Sequence, residues 1–480
     1  MHHRYCKAIT LVAVLISFRS FAQAPAALTA NKKAIIASVD KHQKELTELS
    51  DKIWAFAELA LKETQSSKVL ADYAEAQGFT VQRGVAEMPT AFIASYGSGK
   101  PIIAVMGEFD ALPGLSQKAQ TTKDPLHAGA PGHGCGHNLF GAGSLGAAVA
   151  IKELIAAGKL KGTVRFYGTP AEEDKAGKVY MARAGLFNDV DVCFDWHPDS
   201  ENKAWVQSSQ AIVDYTVEFK GKSAHAASDP WNGKSALDAA ELFNIGVNYL
   251  REHVKPSVRM HYVFKEAGNV PNVIPDKASV WMWIRDSKRS GVTAVEERVR
   301  DIAKGAALMA GVEYNIKLNN GLYEILINET GAKAMQANME MIGPITYTKE
   351  EIDFANNIMK EYGIEQLGID GSVKPLEKTK PDPDGGSSDV GDVSWIVPEV
   401  SMVAVTAPLR SPWHSWVVVA CGGMSIGHKG MVYAAKAMAT TMCDMFENEK
   451  LRTDIKAEFE KRRGSERWKA MLPDGPPPLD

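Results

Sequence analysis

From about residue 211 to 319 the sequence carries a self-contained run: strand 212–220, helix 235–253, strands 259–265 and 278–286, helix 293–310 and strand 313–318. That βαββαβ order is the ferredoxin-like pattern, and it interrupts an α/β alternation on both sides. Before it, apolar residues recur at helical spacing over 35–61, and a second helix starts at Ser66 and ends near Gly78. A continuously apolar run at 102–106, an Ala-rich helix at 139–157 and a β-prone run at 163–167 follow. Such alternation predicts a largely parallel, buried sheet. The α/β pattern resumes after Tyr323 and runs to a long final helix starting near Lys429. The tail from Arg463, with its Gly-Pro-Pro-Pro stretch, is expected to be exposed and mobile. With 480 residues, 45% of them hydrophobic, the chain is too long for one core. The expected fold is therefore α/β: a main domain built from 31–209 and 321–455 on a largely parallel central sheet flanked by helices, a ferredoxin-like insert at 210–320, and a tail at 456–480.

The first residues read as an address. Arg4 and Lys7 precede an apolar run over 8–18 that is too short to span a bilayer, and small residues follow. Cleavage after Ala22, with Ser20 at the third position back, avoids leaving Pro25 at the new terminus, so 1–22 is expected to be a signal peptide and the mature chain periplasmic or secreted. Of 54 Lys and Arg, three lie in this leader, leaving 51 against 58 acidic residues, a balance that does not suggest a nucleic-acid binder. No later segment reads as a membrane span. Cys6 goes with the leader, and Cys135, Cys193, Cys421 and Cys443 are too scattered for a disulfide framework.

The densest chemical signal is Pro131-Gly132-His133-Gly134-Cys135-Gly136-His137-Asn138, a Gly-rich loop opening into the Ala-rich helix. Glycines let backbone turn tightly around an ion, and Cys135 and His137 offer a thiolate and an imidazole two residues apart. Alone, this loop is equally a tight turn with a buried thiol. Two further loops, Thr169-Pro170-Ala171-Glu172-Glu173-Asp174 and Asp195-Trp196-His197-Pro198, also fall just beyond predicted strand ends. In open α/β sheets that edge is where sites form, so their shared position favours one metal-binding crevice.

These motifs resemble the zinc aminoacylase and glutamate carboxypeptidase family of metallopeptidases, in the branch that includes auxin-conjugate amidohydrolases. The resemblance is carried by Phe109-Asp110-Ala111-Leu112-Pro113, the Cys135 loop, Glu172-Glu173, Trp196-His197-Pro198, Gly221-Lys222-Ser223-Ala224-His225-Ala226, Asn272-Val273-Ile274-Pro275, Gly386-Ser387-Ser388-Asp389-Val390-Gly391-Asp392 and His414. Asn138 and the segment from Ser425 to Met431 favour its aminobenzoyl-glutamate-cleaving subgroup. The resemblance implies that Cys135, His137, Glu173, His197 and His414 bind two divalent ions, zinc or manganese, and that Glu172 is the general base. It makes the main domain catalytic and the insert a dimerisation and lid domain. From the insert, His225 would reach the partner's site as a catalytic group, while Asn272 and Arg285 would hold the substrate's carboxylate. Other branches have His where this chain has Glu108, so Asp110 is read as supporting the ligands from behind. His428 competes with His414 for the last ligand position, and His133 is read as structural.

The expectation is thus a metal-dependent amidohydrolase acting on N-acyl or N-aroyl amino acids, as a homodimer or with a sister subunit, and without nucleic-acid or membrane partners. Two alternatives stay open at this stage: a dipeptidase using the same chemistry, and a non-catalytic periplasmic protein that captures peptides or acyl amino acids.

Overall fold

The computed structural model describes residues 26–380, 382–383 and 385–479. The expected signal peptide lies outside the described residues. A six-stranded sheet forms the centre: β1 (Thr80–Arg83), β2 (Phe92–Ser98), β3 (Ile102–Glu108), β4 (Gly162–Thr169), β5 (Val192–Phe194) and β12 (Glu399–Val400), in the order β1-β2-β4-β3-β5-β12. The four strands β4-β3-β5-β12 are mutually parallel, and β2 and β1 add an antiparallel edge. A small sheet of β6 (His197–Asp199), β13 (Met402–Val405) and β7 (Lys203–Ala204) extends the chain just past β5.

Helices α2 (Thr64–Ala76) and α3 (His137–Ala156) pack against this sheet, and α1 (Ala30–Phe56) and the helix Ser425–Glu447 pack on α3. α3 is apolar and long enough to cross a membrane, but 78% of that stretch is buried inside the protein. Its glycines explain how it sits so deep: a Cβ at Gly141 would lie 2.7 Å from the Glu108 carbonyl oxygen at the end of β3. The backbone of α3 therefore presses directly onto the strand that ends at the site.

The run 211–322 forms a second core. Strands β8 (Ala211–Lys220), β9 (Arg259–Glu266), β10 (Lys277–Asp286) and β11 (Glu313–Leu322) make an antiparallel sheet in the order β11-β8-β10-β9. One face buries Val213, Tyr215, Val217, Val280, Met282 and Ile284 against two helices, α5 (Ala236–Leu250) and α6 (Arg289–Ala310). α4 (Gly177–Arg183) belongs to the main core. Strict alternation leaves Asp214, Trp281, Trp283 and Arg285 on the opposite face.

Two expectations about the C-terminal end need correction. The long helix begins at Ser425 and is followed by another, Glu449–Arg463. The tail beyond it is pinned rather than free: Trp468 Nε1 donates to Asp392 Oδ1 at 2.6 Å, Met471 bridges to Gly321, and Arg183 donates to the Pro473 and Gly475 carbonyls. Trp468 and Leu472 pack on the main core, where their apolar area outweighs the loop character of the prolines around them.

Candidate metal centre and active site

Four segments converge at the carboxyl ends of the parallel strands. β3 delivers Glu108 and Asp110, β4 runs into Glu172 and Glu173, β5 leads to His197, and the glycine loop brings Cys135 and His137 to the start of α3. Gly136 makes that entry possible. It caps α3 at φ +81°, and a Cβ there would sit 2.9 Å from Pro198. Left-handed backbone is also taken by the non-glycine residues Ala171 (φ 64°), just before the glutamate pair, and His414 (φ 55°), whose N–H donates to the Gly134 carbonyl at 3.0 Å. Such conformations cost on the order of 1–3 kcal/mol each and are kept where surrounding contacts enforce them.

The potential ligands form two triads that share one sulfur. Donor atoms of Cys135, His137 and His197 lie within 4.8 Å of one another, and so do those of Cys135, Glu173 and His414; Glu108, His137 and Glu172 form a third set with the same spacing but without the sulfur. The buried imidazole of His137 and the half-buried one of His197 are oriented by their Nδ1 atoms, which contact Asp110 Oδ1 at 3.0 Å in His137 and the Pro198 carbonyl at 2.7 Å in His197. Placing the proton on Nδ1 in each leaves Nε2 as a free lone pair facing Cys135, with His197 Nε2 3.3 Å from Sγ. His137 Nε2 lies 3.0 Å from Glu108 Oε2, yet neither atom has a hydrogen-bond partner, and Glu173 Oε1 is likewise buried without one. His414 Nε2 is 3.6 Å from Glu173 Oε2. Buried donor atoms left unbonded within these clusters fit divalent cations, and the S, N and O donor set suits zinc or manganese.

Electrostatics gives the same picture. Burial pushes Glu173 up to about 7, with the Asp110 and Glu108 carboxylates adding to it against the pull of His137. Glu172 is raised well above the usual carboxylate range by burial and by Glu108, Glu173 and Asp389. Burial disfavours the imidazolium of His137, but Glu108, Cys135 and Asp110 outweigh it and raise its pKa. Burial holds the Cys135 thiol protonated. Without cations the cluster thus takes up protons where metal charge would otherwise sit.

Asp110 also accepts from the Glu173 backbone N–H at 3.0 Å, so one carboxylate orients His137 and fixes the turn that carries Glu173. His428 lies apart, 2.8 Å from Asp51, and His133 is buried against the Ile53 carbonyl at 3.0 Å. Glu172, Glu173, His414 and Arg285 line one cleft of about 700 Å³. His225 and Asn272 do not line it. They are exposed and sit beyond the far end of β8, with His225 bridged to Val273.

Several site residues carry no motif of their own in the sequence. Lys178, fully buried at the start of α4, lies 2.6 Å from both Glu108 Oε1 and Asp389 Oδ1. It holds Glu108 well below the usual carboxylate range, against the effect of burial. Glu63, also buried, accepts from the Ala171 N–H and from the Thr90 hydroxyl, both at 2.9 Å. It therefore holds the strained turn before Glu172. Asp389 stands inside a motif, but its pairing with a lysine about two hundred positions away is visible only in three dimensions.

Comparison with known proteins agrees with this architecture. Residues 104–367 match the model of peptidase family M20/M25/M40. A p-aminobenzoyl-glutamate hydrolase subunit of Escherichia coli is 35% identical over 92% of this chain and 98% of its own length. The Xaa-Arg dipeptidase of Mus musculus is 29% identical over 89% of this chain and 92% of its own. Among solved structures, a dinuclear metal-binding M20 peptidase from Bacillus subtilis superposes with a TM-score of 0.57 at 20% identity, covering 85% of this chain and 99% of that one.

Proposed function

This chain belongs to peptidase family M20/M25/M40 and is a metal-dependent hydrolase of amide bonds, and we propose that its substrates are N-acyl or N-aroyl amino acids of the aminobenzoyl-glutamate kind. The observation that carries this reading is the pair of donor triads sharing Cys135, with Glu172 beside them in the same cleft. We assign Cys135, His137, Glu173, His197 and His414 as ligands of two divalent ions, zinc or manganese, and Asp110 as the residue that orients His137. Bound divalent ions supply Lewis acidity and bring the pKa of water to about 7.

Glu172 then accepts a proton from the water that attacks the amide carbon and returns it to the leaving nitrogen. Burial and the neighbouring carboxylates raise its affinity for that proton. Arg285, whose Nε is buried without a partner, presents a guanidinium to the substrate's carboxylate. Segments 31–209 and 321–455 form the catalytic unit in this reading, and 210–320 the lid. The lid also pairs two copies, with His225 supplied to the partner's oxyanion and Asn272 beside it. A sister subunit in place of the second copy is the other assembly, since the E. coli relative is itself named as one subunit of a hydrolase. A dipeptidase is the second reading, supported by the resemblance to the mouse Xaa-Arg dipeptidase. Export to the periplasm or medium, with cleavage after Ala22, completes the proposal and rests on the leader's charge and apolar run.

The test is a hydrolysis screen of metal-loaded mature protein against 4-aminobenzoyl-glutamate, acetyl and benzoyl amino acids, and dipeptides. Turnover of the acyl amino acids above the dipeptides is expected. Turnover of dipeptides alone moves the reading to dipeptidase, and none at all with full metal content overturns both.

A further inference from the structure

The wall of the cleft contributed by the insert carries a carboxylate that forms no ion pair among the described residues. Asp214 on β8 is only 7% exposed and lines the same cleft as Glu172 and His414. Its Oδ1 accepts from Trp281 Nε1 at 2.6 Å and from Asn319 Nδ2 at 2.8 Å, which fixes the carboxylate in place. No Lys, Arg or His pairs with Asp214 among the described residues, so its partners are neutral donors only. A buried, oriented and unneutralised carboxylate facing a cleft is costly unless a ligand meets it.

Its neighbours define what that ligand looks like. Trp283 is its cross-strand partner and Trp281 follows one pleat further along β10. Their rings stand edge to face at 5.8 Å, and both line the cleft. On the other side of Asp214, Arg285 pairs with Ile212, one two-residue repeat or about 7 Å along the strand. Arg285, the cross-strand pair of Trp283 and Asp214, and Trp281 therefore follow one another along a single face. Indole walls favour flat or cationic groups, and the carboxylate demands N–H donors.

We propose that Asp214, flanked by Trp281 and Trp283, is a specificity subsite for a substrate group that is slender or flat and carries N–H donors or positive charge: an arylamine, a guanidinium or an ammonium. This deepens the hydrolase reading above and rests on it. The subsite rejects an anion at that position, so an acyl part ending in carboxylate is a poor substrate.

The test compares kcat/KM for 4-aminobenzoyl-, benzoyl- and 4-carboxybenzoyl-glutamate, with arginine- and lysine-bearing dipeptides as the arms that distinguish guanidinium and ammonium from arylamine. Wild-type metal-loaded protein is expected to favour the amino over the carboxy compound by at least about 100-fold, mainly through KM. In Asp214→Asn, which keeps an acceptor for Trp281, that ratio is expected to fall at least about tenfold. Each ratio is taken within one protein, so a partial loss of folded enzyme cancels. A measurement without any variant covers the case in which Asp214→Asn does not fold: benzamidine is expected to compete with benzoyl-glutamate in the wild type, and benzyl alcohol to compete at least tenfold less well. An unchanged ratio in the variant, or equal inhibition by the two compounds, overturns the subsite while benzoyl-glutamate turnover leaves the hydrolase reading standing. Absence of all turnover overturns both.

Discussion

Glu172 and Glu173 are adjacent in sequence, and the turn fixed by Glu63 and Asp110 gives them different surroundings. Glu173 lies beside Cys135 and His414, whereas Glu172 lies with Glu108 and His137. Replacing Glu172 by Ala is therefore expected to leave metal content near the wild-type value and to lower turnover by several orders of magnitude. Glu173→Ala is expected to lose metal first, as read by elemental analysis after dialysis. Glu63 gives a pH prediction for the chelator-treated protein. Burial, and then Asp110, push its carboxyl up to about 8, while an unfolded chain titrates it near 4.5. Between those values the folded state holds the extra proton, so its contribution to stability is full below pH 4.5 and is lost as pH rises toward 8. Glu63→Gln is expected to flatten that decline in thermal melts from pH 5 to 8, and an equally steep decline in the variant contradicts the assignment. At this scale the sequence displayed the donors and one support, Asp110, but not the other supports. Cys135, His137 and His197 stood in motifs, whereas Glu63, Lys178 and Asp214 act through partners distant in the chain and left no local pattern.

Elements were easier to read than their edges. The insert's strands and helices followed from period-2 and period-3.6 patterns, because one face of its sheet is fully buried and the other is not. The antiparallel edge of the central sheet gave no such signal, since β2 is as apolar at its start as the parallel strands are. The tail misled for a different reason: proline and glycine mark loops, but they do not report whether a loop is docked. Its docking has a measurable consequence. Trp468→Ala removes a half-buried indole and its bond to Asp392, and the expected loss is about 2–4 kcal/mol in chemical denaturation. A change within about 0.5 kcal/mol, the range of ordinary surface substitutions, means the strap holds nothing.

For the whole molecule, the position of His225 decides whether one chain suffices. Asp214 lines the cleft, while Lys220, at the other end of β8, lies about 20 Å further on, and His225 is beyond it. A residue so placed serves its own cleft only if the lid moves far, but it can serve a neighbour's. In the proposed homodimer, mixing inactive His225→Ala and Glu172→Ala chains under subunit exchange is expected to restore activity, because one site of each heterodimer then holds both intact groups. Exchange verified by native mass spectrometry without returning activity removes His225 from the partner's site. The shared Cys135 sulfur at the junction of two donor triads is the centre of the proposed chemistry. Anomalous diffraction from crystals of the metal-loaded protein tests it most directly. The expected map has two peaks that share Cys135 Sγ, one also bound by His137 and His197 and the other by Glu173 and His414. A single peak among Glu108, His137 and Glu172, the third cluster with ligand spacing, would contradict a dinuclear centre on Cys135.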